Sequence, residues 1–94
     1  MQVLEITLST IEGIDNPSVV AALNKGVDWC QICPNSWLVY TSNNPDIWYH
    51  RFEPLLSDGH FLFIVKVDLT VRQGFMPKFV WDWINQKLAP VQKN

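Results

Sequence analysis

Trp29-Cys30-Gln31-Ile32-Cys33-Pro34 is the segment whose residue types come nearest to chemistry, because two thiols three apart can form a redox pair. That chemistry needs the first cysteine at a helix N-terminus after a full strand, where its thiolate is stabilised. Only three residues separate Gly26 from Cys30, and Pro34-Asn35-Ser36 reads as a turn into another strand. On a strand, positions i and i+3 point to opposite faces, so the two thiols are expected to stay unpaired. His50 and His60 are isolated, too few to complete a zinc site with them. Gly13, Gly26, Gly59 and Gly74 are solitary and build no phosphate loop, and neither a nucleophile elbow nor paired carboxylates appear. No cofactor is expected.

Net charge is -2, against the usual pattern of a dedicated nucleic-acid binder. The charge is uneven: residues 1–65 hold two cations against seven acids, while 66–94 hold Lys66, Arg72, Lys78, Lys87 and Lys93 against Asp68 and Asp82. This basic C-terminal edge makes Lys66, Arg72 and Lys78 candidate phosphate or partner contacts. Ser9 and Thr10, after the first strand, join them through hydroxyl or backbone N–H.

The elements that must position these groups follow from periodicity. Val3 to Leu8 alternates, with Leu4, Ile6 and Leu8 on one face, as a half-buried strand does. Asn16-Pro17 starts a helix, with Asn16 as its cap and Val19, Val20 and Leu23 as its apolar stripe. Gly26 closes it, as a residue that tolerates positive φ. Segments 27–33 and 37–42 form a hairpin. Asn44-Pro45-Asp46 opens a second helix that ends or kinks near 51–53, because Pro54 cannot donate. His60 to Asp68 is the strongest strand. Met76-Pro77 opens a last helix with Val80, Trp83, Ile84 and Leu88 on one face, and Pro90 ends it.

The order is β-α-β-β-α-β plus a helix. It predicts an α+β, ferredoxin-like antiparallel sheet with two helices on one face, as a single domain over 1–94 with its core at 2–68 and a helical extension at 75–89. Hydrophobic residues make up 48% and charged residues 17% of the 94, which excludes a disordered tail, a coiled coil and a linker. No apolar run is long enough to span a membrane. Glu5 interrupts any signal-peptide core, so the chain is expected in the cytoplasm.

The 60–68 strand is apolar on both sides, with Phe61, Phe63, Val65 and Val67 pointing one way and Leu62 and Ile64 the other. Two helices cover one face, so the other needs a second cover. An identical chain in a twofold dimer is expected there, with Trp29, Trp37, Tyr40, Phe61 and Phe63 as candidate interface residues. The alternative is that the C-terminal helix folds back over that face. Trp81 and Trp83 belong either to helix core or to an interface.

Trp29 followed by Trp37-Leu38-Val39, Asp58 before Phe61-Leu62-Phe63-Ile64-Val65-Lys66, and the tail Gly74-Phe75-Met76-Pro77-Lys78-Phe79-Val80-Trp81-Asp82-Trp83-Ile84 together resemble the SinR-like family of small bacterial and phage proteins. That family resembles the ferredoxin-like CRISPR-associated subunit of the spacer-integration complex and, more distantly, the VapD ribonucleases. The likeness covers most of residues 2–88. It implies a ferredoxin-like homodimer joined through its sheets; a setting in phage–host or mobile-element defence, with a host protein as a further partner, is the expectation set beside it. The CRISPR-associated relatives carry an Asp at the end of the first strand, where two such carboxylates across the dimer hold a divalent metal. Here that stretch reads Ile6-Thr7-Leu8-Ser9-Thr10. The expectation is therefore a non-catalytic binding or assembly module, the alternatives being a VapD-like endoribonuclease and a nucleic-acid-binding scaffold.

Overall fold

The computed structural model describes residues 1–92. Along the chain run β1 (Gln2–Leu8), α1 (Asn16–Leu23), β2 (Asp28–Cys33), β3 (Ser36–Thr41), α2 (Pro45–Phe52), a 3-10 turn (Glu53–Leu55), β4 (Leu62–Val67) and α3 (Lys78–Gln92). The strands form one antiparallel sheet in the order β2-β3-β1-β4. Each helical crossover skips one strand: β1-α1-β2 straddles β3, and β3-α2-β4 straddles β1. The result is an α+β arrangement of the ferredoxin-like type.

One face is the larger core. Leu4, Ile6 and Leu8 of β1 and Trp37 and Val39 of β3 meet Val19, Ala22 and Leu23 of α1 and Trp48 and Phe52 of α2. β1 and β3 are the central strands, which explains why their alternate residues are so fully buried. On the other face Val3, Leu38 and Cys30 pack under Val80 and Ile84 of α3, with Trp81, Trp83 and Leu88 beside them. The C-terminal helix thus folds back over the far face, and both tryptophans belong to that packing.

Local chemistry sets the element ends. The cap of α1 is Asp15, one residue before the expected Asn16. Asp15 has extended backbone, and its carboxylate accepts from the Ser18 N–H at 3.1 Å and the Ser18 hydroxyl at 2.7 Å. Gly26 does not have positive φ; of the glycines, Gly13 and Gly59 do. Gly26 is needed for room instead, since a Cβ there would lie 2.8 Å from Val39 Cγ1 and 3.2 Å from the Trp48 ring. α2 ends at Phe52 as Pro54 requires, and the chain tightens into the 3-10 turn.

β4 starts at Leu62, not at His60. Phe61 still leans on the end of β1, where the Ser9 N–H donates to the Phe61 carbonyl at 2.9 Å and the Ser9 Oγ accepts from the Phe61 N–H at 2.9 Å. α3 does not end at Pro90 but runs to Gln92. A proline in the final turn removes one intrahelical hydrogen bond and leaves the rest of the ladder intact. In the hairpin, the β2-β3 pairing shifts register between Gln31 and Cys33, a bulge on the outer strand. No helix among the described residues is long and apolar enough to cross a membrane.

Candidate functional site

α3 packs on the β2 side of the far face and leaves the β4 side open. The register aligns Thr7 with Phe63, Glu5 with Val65 and Val3 with Val67. Val3 and Val67 belong to the α3 cluster, whereas Phe61 is 75%, Phe63 66% and Val65 37% exposed. Next to this strip, the Glu5 Oε2 accepts from the Thr7 and Ser36 hydroxyls, each at 3.3 Å. The open surface is therefore an aromatic and β-branched strip along an edge strand, bordered by a small carboxylate–hydroxyl network.

The outer edge of β4 has a definite hydrogen-bonding pattern. Among the described residues, β4 pairs only with β1. The Ser9–Phe61 bond lies on the β1 side, and the Leu8 N–H donates away from β4, to the Asn35 carbonyl at 2.9 Å. Antiparallel pairing alternates from there, so Phe61, Phe63, Val65 and Val67 bond to β1. Leu62, Ile64 and Lys66 point their N–H and C=O groups outward. Against this edge, on the α2 side of the sheet, lies a shallow groove of about 320 Å³ lined by Pro45, Asp46, Tyr49, Leu62, Phe63 and Ile64. A second concavity, about 480 Å³, sits at the other end of the strand among Met1, Val3, Tyr40, Lys66, Val67 and Leu88.

The candidate residues fare differently. Trp37 is 3% exposed in the α1/α2 core, and Trp29 packs against that core while its indole N–H donates to Asn24 Oδ1 at 2.8 Å. Neither tryptophan lies on the open face. Tyr40 is half-buried under α3, with the Lys87 ammonium 5.2 Å from its ring. Of the five proposed interface residues, Phe61 and Phe63 are on the open strip.

The basic edge is largely consumed by internal contacts. Lys78 pairs with Asp82 at 2.8 Å and Lys87 with Asp28 at 2.6 Å. Arg72 donates to the Leu69 carbonyl and to Asn85 Oδ1, both at 2.7 Å, and lies over the Trp81 ring. Lys66 is exposed on β4 without an ion pair among the described residues, and Lys93 lies outside them. The Ser9 Oγ is taken by Phe61, and the Thr10 Oγ1 accepts from the Glu12 N–H at 3.1 Å. The structure therefore does not bring Ser9, Thr10, Lys66, Arg72 and Lys78 together as one anion site.

Both cysteines are free thiols, Cys30 buried and Cys33 exposed. Burial, with help from the Asp28 charge, pushes the Cys30 thiol above its ordinary value, the reverse of what a redox nucleophile needs. His60 is a clasp between loops. The Ser57 N–H donates to Nδ1 at 3.0 Å, so the ring proton sits on Nε2 and is donated to the Glu12 carbonyl at 2.8 Å.

Sequence reasoning missed the Asp46 groove and the outward backbone of β4. Both arise from pairing between distant segments, and the mixed apolar pattern of residues 60–68 was their only trace. Comparison with family models, with curated proteins and with solved structures finds no match.

Proposed function

We infer that the chain is a small cytoplasmic binding and assembly module without catalytic activity, engaging a second copy of itself through the open β4 strip. One observation carries this reading: beside the part of the far face that α3 covers, Phe63 and Val65 of β4, and Phe61 just before it, remain exposed along a strand whose outer edge is unpaired among the described residues. Unblocked edges with apolar residues are templates for another strand. The resemblance to the SinR-like family supports the same reading, with its sheet-joined homodimers, and phage–host or mobile-element defence is the setting proposed beside it. The engagement of Lys78, Lys87 and Arg72 within the fold weighs against a basic nucleic-acid platform.

Light scattering across a concentration series tests the reading, alongside incubation with labelled RNA with and without magnesium. A dimer mass at high concentration with intact RNA is expected. RNA cutting would replace the reading with the endoribonuclease alternative, and a constant monomer mass would remove the homodimer from it.

A further inference from the structure

Building on that assembly reading, we propose that two copies join edge to edge through antiparallel β4 strands, with the twofold axis passing between the two Ile64 residues. The sheets then merge into one continuous layer.

The register follows from which backbone groups are free. Leu62, Ile64 and Lys66 point outward and are symmetric about Ile64. A dyad there lets Ile64 exchange both bonds with the partner's Ile64, and Leu62 both with the partner's Lys66. Any shifted register leaves some of these outward groups unpaired, at a cost for each amide removed from water.

The side chains agree with this register on both faces. On the far face Phe63 stands opposite the partner's Val65 in a non-hydrogen-bonded position, where side chains approach most closely. An aromatic–β-branched pair of this kind is among the favourable cross-strand neighbours, and it shields the most exposed apolar groups of the strand. On the α2 face the partner's Lys66 stands opposite Leu62, beside the groove that carries Asp46. Neither Lys66 nor Asp46 has an ion pair within its own chain among the described residues. The dyad supplies each with one counter-ion, two pairs in all, and opposes no like charges. An interface of one short strand pair plus a groove is small, so the dimer is expected to dissociate on dilution through the micromolar range.

Sedimentation equilibrium of the full chain tests this with Lys66→Pro, Asp46→Lys, Lys66→Asp and the double charge swap. The Lys66 N–H faces outward, so proline there leaves the β1 ladder intact, and circular dichroism and thermal unfolding check that fold. Lys66→Pro is expected to weaken dimerisation at least about tenfold, the loss of roughly 1.4 kcal/mol. Each charge reversal is expected to weaken it, and the double swap to restore it. A dimer that withstands Lys66→Pro, or a double swap no better than the single reversals, overturns this register while leaving the homodimer reading standing. A wild-type chain that stays monomeric overturns both. Should Lys66→Pro misfold, the charge-swap series decides by itself.

Discussion

The Lys87 Nζ lies 2.6 Å from Asp28 Oδ2, joining positions 59 apart in sequence and fastening α3 to the outer strand β2. The Trp83 indole N–H donates to the same carboxylate oxygen at 3.1 Å. The Lys87 side chain is only 13% exposed and runs over the rings of Tyr40 and Trp83. The far-face cover is thus held at one corner by a charge-assisted contact as well as by apolar packing.

That contact makes stability depend on pH in a defined direction. The Lys87 hydrogen bond, outweighing the opposing effect of burial and helped by the Trp29 N–H and by Trp83, holds the Asp28 carboxyl below the usual aspartate value. A depressed folded pKa stabilises the fold above the unfolded pKa, and that contribution is lost as pH falls through the folded value. Asp28→Asn is expected to cost about 1 kcal/mol at neutral pH, a modest figure because the carboxylate is half-exposed. Urea unfolding at stepped pH should show the gap between wild type and variant constant from neutral pH to the ordinary aspartate range, then shrinking below it. A gap that persists in strong acid would refute the role given to this pair.

Gly26→Ala tests the close approach of the α1–β2 connection to the core. The added methyl meets Val39 Cγ1 at 2.8 Å and the Trp48 ring at 3.2 Å, and both neighbours are fully buried. Overpacking of this kind costs about 1–3 kcal/mol. For a domain of this size, thermal unfolding should move down by roughly 4–8 °C for each kcal/mol. An unchanged midpoint would show that the connection yields without resistance.

The two thiols should react at very different rates. Cys30 is 5% exposed beneath α3, while Cys33 is exposed. An aromatic disulfide reagent should label one thiol promptly in the native protein and the second only with unfolding. Asp28→Asn should speed labelling of Cys30, since it loosens the helix above it. Equal rates for both thiols in the wild type would contradict the packing of α3.

His60→Ala removes the clasp between the Glu12 loop and the Ser57 loop. The Ser57 amide, which donates to Nδ1 at 3.0 Å, loses its acceptor. Its hydrogen exchange should accelerate, and global stability should fall by about 1 kcal/mol. Unchanged exchange at Ser57 would mean that the ring does not hold that amide.

Local patterns, the β2–β3 hairpin and the sheet architecture were legible in the sequence, and the register between distant strands was not. The alternation of Leu4, Ile6 and Leu8 marked β1 because a central strand buries one face completely. The i, i+3, i+4, i+8 stripe of Val80, Trp83, Ile84 and Leu88 marked the inner side of α3. The face taken by Trp37, however, depends on its alignment with Ile6, which periodicity within β3 cannot reveal. The cations from Lys66 onward looked like one basic edge because the acids that absorb Lys87 and Lys78 become neighbours only through the fold, or through one helical turn. Gly26 is required as its position suggested, yet for want of space beside Val39 and not for its backbone angle. The open strip was half legible: Phe61 and Phe63 were placed on it, while Trp29 and Trp37 went to the core.

The bulge between Gln31 and Cys33 has a bearing on how far association can proceed. It interrupts the regular spacing of amides along the border opposite β4, just before Pro34, whose nitrogen cannot donate. If copies join through β4 as proposed, this border offers the pair no matching edge from which to grow further. A pair joined as proposed would close on itself, guarded against the endless stacking that makes fibrils.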